Sequence, residues 1–220
     1  MLKRSTAAHT QVLRNAVAIG LASGAYGLSF GAASVAAGLS TLQTCVLSLV
    51  AFTGASQFAL IAVLGAGGSA VAGVAGSLLL GCRNTLYGVR LSTLLGIHGP
   101  ARPIAAQVTI DETTAMSTAA PPEERGFAFW ATAASVYGFW NLATLLGALG
   151  AGAVNTNSLG LDAAVGAAFL ALLAPQIRDR VGLRVAIGGA LIAAAAIPVT
   201  PAGVPVLLAG LAVLPAVLRR

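Results

Sequence analysis

Charge is what this sequence has least of. Only 8% of its 220 residues are Asp, Glu, Lys or Arg, against about a quarter in a soluble domain. So little polar material cannot cover the core that 57% hydrophobic residues would build. An ordinary soluble domain is excluded. The mean hydropathy of +0.90 calls for a second apolar solvent, the lipid bilayer. Histidine and cysteine are scarce as well, two of each. Cys45 and Cys82 sit in apolar runs and read as small buried hydrophobes. His9 and His98 lie in tails or loops, so no metal site and no cofactor is expected. There is no G-x-x-x-x-G-K-[S/T] loop, no H-E-x-x-H and no Ser/His/Asp set. An ATP-driven motor is excluded on that ground, and an enzyme is not expected.

Acidic residues are the rarer charge, six against twelve basic ones, for a net +6. In a soluble protein that excess would suggest nucleic acid. Here the basic residues sit at segment ends: Lys3, Arg4 and Arg14, then Arg102 and Arg125, then Arg178, Arg180 and Arg184, then Arg219 and Arg220. That is how helix ends anchor to anionic lipid surfaces, and no nucleic-acid partner is expected.

What is present is apolar sequence in blocks. Residues 15–38, 42–64, 70–95, 127–154, 161–175, 183–198 and 204–218 form about seven hydrophobic segments. The first four reach the roughly 20 residues of a membrane span. The last three are shorter, and Pro198, Pro201 and Pro205 make that stretch irregular. The expected fold is all-α: a polytopic integral membrane helical bundle, with room for re-entrant or broken helices and an internal repeat. Residues 1–14 read as a cytoplasmic N-terminal tail and 15–220 as a single transmembrane transporter domain. The basic start resembles a signal peptide, but its long apolar run and the segments after it favour a retained first span.

Glycines recur at helical spacing. Gly20 and Gly24, Gly27 and Gly31, and the set Gly73, Ser77 and Gly81 fall four apart. That lets helix backbones approach closely, or supplies a cavity wall or hinge. An internal echo links Gly27–Gly31 and Gly54–Leu60 with Leu146–Gly150 and Gly160–Ala164. Transporters are often built from such repeats. The charge map conflicts with a simple ladder. With a cytoplasmic N-terminus, three spans put Arg102 and Arg125 outside, and Arg178–Arg184 and Arg219–Arg220 follow. An inserted or re-entrant stretch over 103–120 is the expected repair.

Polar groups inside apolar spans are costly and call for a partner or a role. Gln57, with Ser56 beside it and Thr53 one turn back, makes an interhelical hydrogen bond or a substrate contact. Arg83, Tyr87 and Arg90 share one helical face, with Asn84 beside them. These arginines snorkel to an interface or hold a substrate carboxylate. Asp111 and Glu112 are surface carboxylates if 103–120 is a loop. If it is inserted, they pair with Arg83 or Arg90, bind an ammonium, or carry a proton. Asp162 sits where a helix N-cap would, with the same functional alternatives. Trp130 fits an interfacial belt, and Asn141 beside Trp140 is placed to line a cavity.

These same residues resemble the AzlC family of branched-chain amino acid exporter subunits. The resemblance runs over roughly residues 15–200. It is carried by Gly27–Gly31, Thr53–Phe58 (TGASQF), Arg83-Asn84-Thr85-Leu86-Tyr87-Gly88, Asp111-Glu112-Thr113, and Leu159-Gly160-Leu161-Asp162 leading to Phe169–Pro175. The family usually has Asn two residues before the arginine and often His after it. Here those positions are Gly81 and Asn84. The resemblance implies efflux of hydrophobic amino acids across a bacterial inner membrane and a small AzlD-type multi-span partner. Gln57, Arg83, Asn84, Tyr87 and Asn141 would then contact substrate, with backbone N–H groups of broken helix ends. Asp111, Glu112 and Asp162 would serve the ammonium or the coupling proton. The alternative is a non-transporting scaffold that stabilises a membrane partner.

Overall fold

The structure, a computed structural model, describes residues 2–153, 177–201 and 203–218, with side chains over 9–151, 177–201 and 203–216. Among these every regular element is helical, as the composition led us to expect. They are α1 (Leu2–Ala36), α2 (Thr41–Val50), α3 (Ala55–Gly65), α4 (Ala70–Leu95), α5 (Ala101–Gln107) and α6 (Asp111–Ala119). A single 3₁₀ turn, Pro122–Glu124, leads into α7 (Arg125–Ala153). Then come α8 (Arg180–Ala196), α9 (Val204–Ala209), a 3₁₀ turn (Gly210–Val213) and α10 (Leu214–Leu218). The expected segment over 161–175, and Asp162 with it, lies outside the described residues.

By length and composition, the stretch His9–Ala36 of α1 is apolar enough to cross a membrane. The 26-residue α4 and the 29-residue α7 have the length of a crossing. Polar residues lower their hydropathy: Arg83, Asn84 and Arg90 in α4, Asn141 in α7.

α1 and α7 lie side by side and run in the same direction. At one end, the lower, His9 meets Glu124 at 3.0 Å and stacks edge-on to Phe127. Toward the other end Gly31 meets Thr144 and Ala148. The seam is backbone on backbone. A Cβ at Gly27 would sit 2.7 Å from the Trp140 carbonyl oxygen. One at Gly31 would overlap the Thr144 carbonyl, and one at Gly147 the Leu28 carbonyl. The four-residue glycine spacing therefore serves close helix packing here.

α2 descends from the upper end. Its Ser48 hydroxyl donates to Thr144 Oγ1 at 3.3 Å, and its Leu49 carbonyl accepts from the Tyr137 hydroxyl at 3.2 Å, lower on α7. The helix then breaks over 51–54. α3 climbs back, with Phe58 beside Phe30 (ring centroids 5.6 Å apart) and Gly65 against Ala37. Residues 41–65 are thus a helical hairpin that turns back to its starting end, rather than the single continuous helix expected over 42–64. Each arm rises about 15 Å, half of a bilayer core.

α4 returns downward against α3. Gly73 packs on Leu60, Ser77 donates to the Ser56 carbonyl at 2.9 Å, and Gly81 faces Ser56. Its lower end joins a small core of Leu91, Ala105, Val108, Phe129 and Ala133. From there α5 rises, and its Gln107 amide reaches the carbonyls at the end of α2. α6 descends to the foot of α7. The stretch 103–120 is therefore a second hairpin, entering from the lower end, with Ala105, Val108 and Ile110 buried. It is not a solvated loop.

The first six helices form two inverted units, each a long helix followed by a hairpin dipping from the end that helix reaches. The echo had paired α1 with α7 instead; its further partner at 160–164 lies outside the described residues. Further on, α8 packs antiparallel to the last helices through Gly189 on Ala209 and Gly188 beside Ala212. Gly203, at φ +95°, lies against Val63 and Ala72 near the upper end, and Gly210 against Leu79.

This topology settles the conflict of charges. With 41–65 dipping and returning, Arg14, Arg102 and Arg125 share the lower end. Arg178, Arg180 and Arg184 stand at the lower end of the last hairpin, opposite Gly203. The upper turns at 37–40, 66–69 and 197–201 carry no charge at all. The sequence expectation placed an inserted or re-entrant stretch over 103–120; the structure makes hairpins of both 103–120 and 41–65.

Candidate functional site

The tips of the two hairpins meet near mid-height, and each needs its broken backbone satisfied. At the upper tip Gly54 turns the chain at φ +62°, ψ −94°, a region that favours glycine. The carbonyls stranded at the end of α2 find side-chain donors. Leu47 accepts from Gln57 Nε2 at 3.1 Å, and Val50 from Gln107 Nε2 at 2.8 Å. Leu49 accepts from Gln107 at 3.0 Å, and Ala51 from Thr53 Oγ1 at 3.2 Å. At the lower tip hydroxyls do this work. Thr113 Oγ1 accepts from the Ile110 N–H at 3.0 Å and donates to the Val108 carbonyl at 2.9 Å. Ser117 donates to the Thr113 carbonyl at 2.7 Å.

Between the tips lies a cavity of about 170 Å³. One side is apolar: Ile19, Phe52, Phe58, Val136 and Trp140. Phe30, Phe58 and Trp140 brace that side as a packed aromatic trio. The opposite side is charged, with Arg83, Asp111 and Glu112. Arg83 Nη1 pairs with Asp111 Oδ2 at 2.9 Å, their side chains 31% and 40% exposed. The Tyr87 hydroxyl, one turn further along α4, lies close to the Asp111 carboxylate. Glu112 accepts from Ser23 Oγ at a long 3.4 Å. Both carboxylates occupy the first turn of α6, where the helix dipole favours negative charge. The pair is one-pronged: Arg83 Nε and Asp111 Oδ1 are buried without a hydrogen-bond partner. Gly54 and Ala55, at the start of α3, complete the wall.

Of the residues singled out from sequence, Arg83, Asp111 and Glu112 come together at the cavity, and Tyr87 reaches them through Asp111. Gln57 is 1% exposed and holds the Leu47 carbonyl, away from the cavity wall. Asn84 faces a separate cleft shared with Gln107 and Thr109. Asn141 donates to the Tyr137 carbonyl at 2.8 Å, behind Trp140. The side-chain oxygens of Gln57, Asn84 and Asn141 are buried and unpartnered. Arg90 is exposed and off the cavity wall. Sequence reasoning missed Ser23 and Tyr26 in the wall, and Gln107 as the clasp of the upper tip. Gln107 did carry a signal, an amide in a weakly apolar stretch, like Gln57. Among the described residues no group of three His, Cys, Asp or Glu is placed to hold a metal ion.

The sequence pattern of the AzlC protein family matches residues 18–154, more than half the chain and every residue of the cavity wall; Asp162 lies beyond it. No curated protein and no solved structure matches. The chain belongs to the AzlC family. That places it among membrane proteins of branched-chain amino acid transport, which work with a partner subunit.

Proposed function

We propose that this chain is the large subunit of a secondary transporter. It exports branched-chain amino acids across a bacterial inner membrane together with a small AzlD-type multi-span protein. One observation carries the proposal: the cavity sets a cation and two carboxylates opposite an aliphatic and aromatic wall. That matches a free amino acid with an apolar side chain. The substrate carboxylate binds the unused Nε edge of Arg83 and the first N–H groups of α3, a half-helix N-terminus as in other transporters. The ammonium binds at Glu112. The side chain lies on Ile19, Phe52, Phe58, Val136 and Trp140, where burying a leucine side chain yields about 2–3 kcal/mol.

Tyr87 positions Asp111, and Gln57 positions the upper tip. Asn84 and Asn141 complete their hydrogen bonds when the hairpins shift around substrate. Asp111 and Asp162 are the other carboxylates available to the ammonium or the proton. In the membrane α1, α4 and α7 cross, the two hairpins dip, and the arginine-bearing lower end faces the cytoplasm. The proton motive force supplies the energy.

The test is efflux of preloaded valine from cells with and without the chain and its partner. Faster efflux with both supports the proposal. Equal rates, together with a reconstituted complex that moves no amino acid under any ion gradient, leave the scaffold reading instead.

A further inference from the structure

Arg83 is the only cation among the described residues lining the cavity, and Asp111 already takes it up at 2.9 Å. Their charges cancel. Glu112 is left as the cavity's unbalanced charge, with one long hydroxyl contact from Ser23. The groups around it are few. Ser23 and Tyr26 face it from α1, Arg83 and Tyr87 from α4, and Asp111 from its own helix. The upper hairpin and α7 contribute Phe52, Thr53, Gly54, Ala55, Phe58, Val136 and Trp140, none of which titrates as an acid or base in the working range.

A lone carboxylate in a pocket of low dielectric needs a positive partner. In the empty cavity the available partner is a proton. In the loaded cavity it is the substrate ammonium. Both cannot be held, because a protonated Glu112 leaves the ammonium without a counter-charge. We infer that Glu112 is a single exchange point, held by a proton or by the amino-acid ammonium but never by both. Resting on the transport reading above, this makes the coupling an antiport written into one side chain. Substrate arrival expels a proton from the Glu112 carboxyl to solvent. Substrate departure lets one return. No other bond is made or broken.

The experiment uses the full chain with its partner in detergent, leucine as the probe, and a pH-sensitive dye in weak buffer. Leucine binding to the wild type should release protons, and its affinity should fall as pH falls, by up to about tenfold per pH unit. Glu112→Gln, the isostere of the protonated side chain, should bind leucine at least about tenfold more weakly, with an affinity flat in pH, and release no proton. Glu112→Asp should restore proton release with a displaced midpoint. Glu123→Gln, in the turn before α7, should behave as wild type. Proton release unchanged in Glu112→Gln overturns the inference while leaving the transport reading intact. Should Glu112→Gln fail to fold, an unmoved midpoint in Glu112→Asp overturns the inference equally. A wild type that binds no leucine overturns both.

Discussion

The two hairpins are built alike and equipped differently. Each is a pair of short helices broken where it meets the other. The upper one breaks on glycine, Gly54 at φ +62°, and its loose carbonyls are clasped by two amides, Gln57 and Gln107. It carries no charge. The lower one breaks with no positive φ, is tied by hydroxyls, and presents Asp111 and Glu112 at its tip. The upper tip thus supplies shape and a helix N-terminus, and the lower tip supplies ionisable groups. Function needs both, but the failures of each should look different.

The largest effect is expected at Arg83 of α4, the partner of the lower tip's Asp111. Arg83→Ala should abolish amino-acid efflux, at least about a hundredfold, while membrane levels of the protein stay normal. Loss of the protein itself would instead make Arg83 a structural pillar and erase the contrast. Next, Gly54→Val puts a β-branched side chain at a left-handed position. It should cost about 2 kcal/mol or more, read as a lowered Tm, with efflux falling only in step with folded protein.

Gln57→Leu removes a donor from the Leu47 carbonyl, and about 1–2 kcal/mol of stability should go with it. Thr113→Val does the same at the lower tip and should cost about as much. If Gln57→Leu raised the KM for efflux at an unchanged Tm, Gln57 would move from clasp to substrate contact. The smallest effect should be Ser23→Ala, below about 0.5 kcal/mol in stability, because its contact to Glu112 is long.

How much of this was legible follows from what each residue looks like in isolation. Arg83, Asp111 and Glu112 were legible because charge inside an apolar run is an anomaly wherever it occurs. The glycine seam was legible because close packing needs small residues at fixed spacing. The α2–α3 hairpin was not. Residues 42–64 have the apolar length of a span, and hydropathy averages across a break that one glycine makes. The tetrapeptide Ala51-Phe52-Thr53-Gly54 contains no proline to mark it. The cavity wall was illegible for a plainer reason. Ile19, Phe52 and Val136 are apolar residues in an apolar protein, and only the fold brings them to one side.

The one-sided arginines also bear on how the chain is made. As it leaves the ribosome, the stretch that becomes α2 and α3 looks to the insertion machinery like an ordinary stop-transfer segment. Taken at face value it would be threaded across, and everything after it would be inverted. Arg102 and Arg125, emerging later, resist being carried to the far side. On the membrane topology proposed above, the orientation of the hairpin would be decided after it has been synthesised, by charges downstream. Insertion would then proceed by revision rather than strictly from first helix to last.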